Sequence, residues 1–245
     1  MECDLTRCFL CDHCMPEWKG VTAFHKKTLL FKKGKALFTE GEAVKGIYFL
    51  YSGVVKIHAP WIDGRELIIR FARASDIAGY RGLRGGSGVS TGLRGEPGVS
   101  VGPGTAAVYP VSATALEDTV ACFIDNDFLE LSLKANPSLT YTLMQLYASE
   151  LQKAEKRMRD LTHMDVKGRI AWALLDILEG SGTAPDGTLA LKLTRQDLAA
   201  YAGTTYETVF KFFAELIAAG IIQTSGKDIT VGRPERLSEF VAAGA

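Results

Sequence analysis

Four of the five cysteines, Cys3, Cys8, Cys11 and Cys14, crowd the first 14 residues, and Cys122 stands apart. Cys8-x2-Cys11-x2-Cys14 sets three thiolates on a tight segment and repeats the first part of the C-x2-C-x2-C-x3-C run that holds iron–sulfur clusters. A cubane (4Fe-4S) cluster takes one protein ligand per iron, so a fourth sulfur must come from Cys122 or, alternatively, from Cys3. Cys3, Cys8, Cys11 and Cys14 could instead bind tetrahedral Zn²⁺, although two successive x2 spacings are cramped for paired knuckles. His13 could join either site. A third reading has no stable metal, with Cys122 an inert thiol in an apolar strand. The odd cysteine count argues against a disulfide framework.

A second group of residues has the spacing of a nucleic-acid reader. Thr194 can cap a helix whose first turn carries Asp197. Ala199 is small enough for two helices to cross, Gly203 supplies a turn that needs positive φ, and Val209 points back into the interhelical angle. This 4-then-6 spacing is the skeleton of a helix-turn-helix. Val209, Phe212, Phe213 and Leu216 form the buried face of the second helix, which leaves Thr205, Tyr206, Glu207, Phe210 and Lys211 to reach base edges in a major groove. Glu207 could accept from cytosine N4, Lys211 could donate to guanine or phosphate, and Phe210 or Thr205 could touch a thymine methyl. Arg195 and a following hairpin, 221–223 with 229–231, would hold the DNA backbone. From His163 onward eight Lys/Arg face ten Asp/Glu, a poor balance for neutralising phosphate, so a protein-binding helical module remains the alternative.

These groups must be positioned by the elements between them. Trp18 to Leu30 reads as a short helix. From Phe31 to about Ile124, apolar runs at 47–50, 54–57, 67–71 and 120–124 alternate with turn signals at Lys33-Gly34, Glu40-Gly41, Ser52-Gly53 and Asp63-Gly64, as in an all-β roll. Within it, residues 81–90 and 91–100 are a tandem decamer identical at seven of ten positions. Two copies are too few for a solenoid, and the glycine content predicts a loop insertion. From Pro137 to Leu161 the pattern is helical. Met144, Tyr147, Leu151, Ala154, Met158 and Leu161 form an a/d seam, and Leu139, Leu143 and Leu146 form a second stripe, so one face can pack on the roll while the other meets a partner helix. Val166 to Leu178 is a further amphipathic helix.

The fold class expected is therefore α+β: an N-terminal antiparallel, jelly-roll-like β-roll, a long dimerisation helix and a C-terminal winged helix-turn-helix. The divisions are a cysteine segment at 1–20, the roll at 21–136 with its insertion at 81–104, the helix at 137–162 and the DNA-binding domain at 163–245. Lys+Arg and Asp+Glu are both 28, so global charge announces no polyanionic or membrane partner. No run approaches 18 apolar residues and no secretory pattern opens the chain, so a cytoplasmic protein with no membrane partner is expected. No Ser/His/Asp grouping, phosphate-cradling loop or paired catalytic carboxylates accompany the cysteines, so an enzyme is not expected; an iron–sulfur electron-transfer protein is the remaining alternative of another class.

The order roll, long helix, winged helix-turn-helix resembles the Crp/Fnr family of bacterial transcription regulators. The resemblance is carried by the glycine-punctuated roll from Phe31 to Phe71, by residues 112–119 (SATALEDT), and by 193–199 (LTRQDLA) with 203–209 (GTTYETV). It implies a homodimer on double-stranded DNA, with RNA polymerase as a further partner, and base reading by Glu207 and the residue four further on. Here that residue is Lys211 where Arg is usual, and Phe210 replaces a usual Ser. The cyclic-nucleotide branch grips phosphate with Gly-Glu and Arg-Ser pairs. The corresponding stretches here are Gly79-Tyr80-Arg81 and Pro110-Val111-Ser112 before Ala113-Thr114, so that ligand is not expected, although Arg81, Arg84 or Arg94 could substitute. The family's oxygen sensor also pairs an N-terminal cysteine group with one cysteine in the roll after an Ala-Leu-Glu stretch, the position of Cys122. The resemblance thus implies an iron–sulfur redox or oxygen sensor, with zinc or another effector as the alternative.

Overall fold

The computed structural model describes residues 9–61, 64–80 and 107–244. Cys3, Cys8, the tandem repeat, and Arg81, Arg84 and Arg94 lie outside the described residues. The chain divides into two compact units, residues 1–59 with 71–143, and residues 60–70 with 144–245.

The first unit opens with α1 (Phe9–His13) and α2 (Pro16–His25), then β1 (Lys27–Phe31). The helix expected over 18–30 therefore ends five residues early. Thr28, Leu29 and Leu30 pair with β8 (Thr119–Asp125) in antiparallel register, and ladder pairing overrides the helical reading. β3 (Gly46–Ser52), β4 (Val55–Pro60), β5 (Glu66–Ala72) and β8 coincide with the four expected runs. Three short strands add to them: β2 (Ala36–Phe38), β6 (Ile77–Ala78) and β7 (Ser112–Ala115). One four-stranded sheet has the order β1-β8-β3-β6 and the other β2-β7-β4-β5. Between them Tyr48 meets Phe38 (5.7 Å between centroids) and Phe123 (5.0 Å). The opposite face of the first sheet carries Phe49, with Phe9 of α1 stacked on it at 6.3 Å.

A helix absent from the sequence reading, α3 (Asn126–Ala135), covers the same sheet. Asp125 caps it by accepting from Phe128 N at 2.9 Å. Trp18 of α2 stacks on Phe128 and donates from Nε1 to Ser132 Oγ at 3.1 Å, which anchors the segment after the cysteines.

Helix α4 (Pro137–His163) runs from the first unit into the second. Its two stripes are treated differently. Leu139 and Leu143 are buried, whereas Met144, Tyr147, Leu151 and Met158 are 56%, 37%, 61% and 64% exposed. Ala154 is exposed and Leu161 half-buried. In the second unit α5 (Val166–Ser181) is capped by Asp165 and packs against α8 (Pro234–Ala243). Between them lie α6 (Arg195–Ala202), α7 (Tyr206–Ala218) and the hairpin β9 (Ile222–Ser225) and β10 (Asp228–Val231). Among the described residues no helix is long and apolar enough to cross a membrane.

Candidate functional site

The turn between α6 and α7 is built from local capping. Thr194 Oγ1 accepts from Asp197 N at 3.0 Å while Asp197 Oδ2 accepts from Thr194 N at 3.2 Å, a complete capping box. Gly203 sits at φ +64°, where a non-glycine residue is strained, and a Cβ there would lie 2.9 Å from Leu161 Cδ2. Thr205 caps α7 through Thr208 N at 3.3 Å. Ala199 and Val209, 1% and 0% exposed, fill the angle between the helices, and Phe212, Phe213 and Leu216 seal the inner face of α7.

The opposite face is open. Thr205, Tyr206, Glu207, Phe210 and Lys211 are all exposed on the first two turns of α7. Glu207 and Lys211 are one turn apart, and the Glu207 carboxyl is held below its ordinary value by its own backbone N–H, then by the Thr205 hydroxyl and Lys211. Arg195 is placed differently from the other five. Its guanidinium lies over the Phe213 ring at 4.3 Å, half-buried, and burial lowers its pKa.

Many carboxylates of this unit have partners within it. Asp165, Asp197 and Asp186 hold backbone N–H groups. Asp176 accepts from Tyr201, and Glu215, Asp228 and Glu239 pair with Lys167, Lys192 and Arg236. Lys211 on α7, Lys227 at the hairpin tip and Arg233 enter no ion pair among the described residues.

Two arginines missed in the sequence fasten this module to the end of α4. Arg169 donates from Nε to Ala202 O (3.1 Å) and from Nη1 to Met164 O (2.9 Å), with longer contacts to Leu161 O and Gly203 O (3.4 Å each). One guanidinium therefore serves carbonyls at the C-terminal ends of α4 and α6, where orphan acceptors and the negative dipole end coincide. Arg157 of α4 lies over Trp172 at 4.4 Å and donates to Tyr201 O.

The cysteines divide between two places in the first unit. Cys11 and Cys14, three residues apart, are 2% and 5% exposed on α1 and its continuing turn, where Cys14 N donates to Leu10 O at 3.0 Å. Cys122, 0% exposed, is the register partner of Phe49. Directly opposed residues share a face, so Cys122 belongs to the sheet face that Phe9 and α1 cover. His13 is exposed and meets the Phe9 ring edge-on at 4.6 Å. Among the described residues no group of three or more His, Cys, Asp or Glu is arranged to hold a metal; Cys8 and Cys3 fall outside them. Cys11, Cys14 and Cys122, the three described members of the expected ligand set, are thus buried but not gathered into one site.

Cys14 also has a partner that no local pattern announces. Asn136, fully buried, donates from Nδ2 to Cys14 Sγ at 3.3 Å and accepts from Leu139 N at 3.1 Å on Oδ1. The same side chain caps α4 and touches the cysteine segment.

Residues 28–136 match the cyclic nucleotide-binding domain and residues 168–240 the Crp-like helix-turn-helix domain. A CRP-like cAMP-activated global transcriptional regulator of Mycobacterium tuberculosis is 30% identical over 210 residues, 85% of each chain. The anaerobic regulatory protein of Bacillus subtilis is 30% identical over 202 residues, 81% of this chain and 77% of its own. The solved structure of FixK2 from Bradyrhizobium japonicum superposes with a TM-score of 0.70 at 26% identity, covering 90% of this chain and 99% of that one.

Proposed function

The chain belongs to the Crp/Fnr family of DNA-binding transcription regulators, and from that premise we propose that it acts as a cytoplasmic homodimer that couples the redox state of its cysteine segment to operator binding and to RNA polymerase. The observation that carries the DNA half is the open face of α7, where Glu207, Phe210 and Lys211 project beside a capped helix N-terminus. The apolar seam Met144, Tyr147, Leu151, Ala154, Met158 and Leu161 supplies the dimer contact. Large side chains left in water on one face of a helix are what a partner helix would cover. Two recognition helices must then meet half-sites about one helical turn apart.

Cys8, Cys11, Cys14 and Cys122, with Cys3 as the other choice for the fourth ligand, are the residues that would hold an iron–sulfur cluster, which supplies oxygen-sensitive redox chemistry when bound. Asn136 supports this reading, because its one amide bonds both Cys14 and the first turn of the helix that carries the dimer seam. Relatives of this chain include an anaerobic regulatory protein and a fumarate and nitrate reduction regulatory protein.

A second reading keeps the DNA interface and places another small effector in the roll, with zinc or no metal at the cysteines. It is favoured by the cyclic nucleotide-binding domain match over 28–136. Against cyclic nucleotide itself, residues 79–81 (GYR) and 110–114 (PVSAT) lack the Gly-Glu and Arg-Ser pairs with which that branch of the family grips phosphate.

The deciding experiment is selection of bound duplexes from random DNA, with protein prepared with and without air. A two-fold symmetric site bound only by anaerobic, brown, iron-containing protein supports the redox reading. Equal binding by colourless protein, unchanged when Cys8, Cys11 and Cys14 are replaced by Ser, removes the sensing half and leaves the DNA half. No sequence preference under either condition removes both.

A further inference from the structure

We propose that Phe210, with Tyr206 beside it, reads thymine C5-methyl groups, so that apolar contact carries a large part of this regulator's sequence preference. The proposal rests on the reading of α7 as the helix that enters the major groove.

Phe210 and Tyr206 are 62% and 44% exposed, whereas Phe212 and Phe213 on the same helix are 2% and 4%. The two exposed rings are stacked at 6.4 Å with 21° between planes, so they form one apolar ridge set before any partner arrives. In water this ridge contributes little to the fold. Successive helical residues point about 100° apart, so this ridge and the Glu207–Lys211 row are two neighbouring strips of the one exposed face of α7, opposite buried Val209, Phe212, Phe213 and Leu216.

Thymine is the one base with an apolar group on its major-groove edge. Four helical residues rise about 6 Å, and two base steps along one strand rise roughly 7 Å. The 6.4 Å between ring centroids therefore suits two thymines on nearby steps. The hydrogen-bonding alternatives to guanine are weak here. Lys211 lacks a bidentate fork, and the Arg195 guanidinium is held half-buried over Phe213 at 4.3 Å.

The test uses the full-length protein and a duplex recovered by selection from random DNA. Each half-site thymine is replaced in turn by uracil, which removes the methyl and preserves every hydrogen-bonding group. At the position facing Phe210, and at a second within two steps facing Tyr206, affinity is expected to fall about fourfold, the equivalent of one buried methyl. Phe210→Ala should bind thymine and uracil duplexes equally. Phe210→Leu should keep the discrimination, since apolar volume rather than the ring is required. Circular dichroism checks that both variants fold, as an exposed side chain predicts. Equal binding of every uracil duplex by the wild type, with selectivity still lost in Glu207→Ala, overturns the methyl reading and leaves the groove reading. A uracil penalty that survives in Phe210→Ala overturns it by moving the contact elsewhere, Thr205 first. Absence of any selected sequence overturns both, and leaves the ridge as a protein-docking surface.

Discussion

Replacing Arg169 by Ala is expected to destabilise the second unit by about 3 kcal/mol. The side chain makes two well-formed bonds, to Ala202 O at 3.1 Å and Met164 O at 2.9 Å, and two at 3.4 Å that count for little. Hydrogen bonds from a charged donor contribute roughly 1.5–3 kcal/mol each. Water reaches part of this half-buried site, which sets the sum near the lower end. Arg169→Lys should recover less than half, because one ammonium cannot fork between the ends of α4 and α6. Lys167→Ala serves as the control. Its pair with Glu215 is short (2.5 Å), but the side chains are 48% and 54% exposed, and the change should stay within about 0.5 kcal/mol. The assay is urea unfolding followed at Trp172, with Trp18 and Trp61 replaced by Phe, comparing midpoints at constant slope. An Arg169→Ala loss under about 1 kcal/mol, or an Arg169→Lys protein as stable as wild type, would refute the idea that one guanidinium staples the helix-turn-helix to α4.

Leu151→Glu combined with Met158→Glu should give a folded monomer by sedimentation velocity and abolish binding to a two-half-site duplex, since both residues are solvent-facing in the single chain; a dimer that persists would place the interface elsewhere. Asn136→Ser should cost less than Asn136→Ala, because a serine at the helix start keeps a cap for Leu139 N but is too short for Cys14. The cap is worth about 1 kcal/mol and the contact to sulfur about as much again, so equal midpoints for the two variants would remove Asn136 as a link. Burial, then Tyr109 and Glu42, pushes the Tyr48 phenol from 10.0 up to about 12. The folded state therefore holds this proton more tightly than the unfolded chain. That contribution is intact below about pH 10 and is lost as pH rises toward 12. Tyr48→Phe should shift the onset of alkaline unfolding upward, and an unchanged onset would exclude Tyr48 as its cause.

Much of this protein was legible because the relevant physics is local. Thr194, Ala199, Gly203 and Val209 announce a helix-turn-helix by capping, small size, positive φ and β-branching within sixteen residues, and the structure places each in that role. The two stripes of α4 were visible as periodicity, and the long apolar strands as runs. Strands of two to four residues such as β2, β6 and β7 carry too little pattern to be seen and exist only through their pairing partners. Helix α3 was missed because Leu129, Leu131 and Leu133 alternate with polar neighbours and imitate a strand; its cap at Asp125 and its packing on the sheet settle the outcome. Local sequence says nothing of Asn136 reaching Cys14 across 122 positions, or of Arg169 reaching Ala202 across 33. It is equally silent on Cys122 lying opposite Phe49 on the sheet face covered by α1. A side chain's helical or strand preference acts over a few residues, so the sequence alone could name the longer elements and the helix-turn-helix. The partners of a buried amide, guanidinium or thiol depend on which distant segments packing brings alongside, and only the tertiary structure decided those.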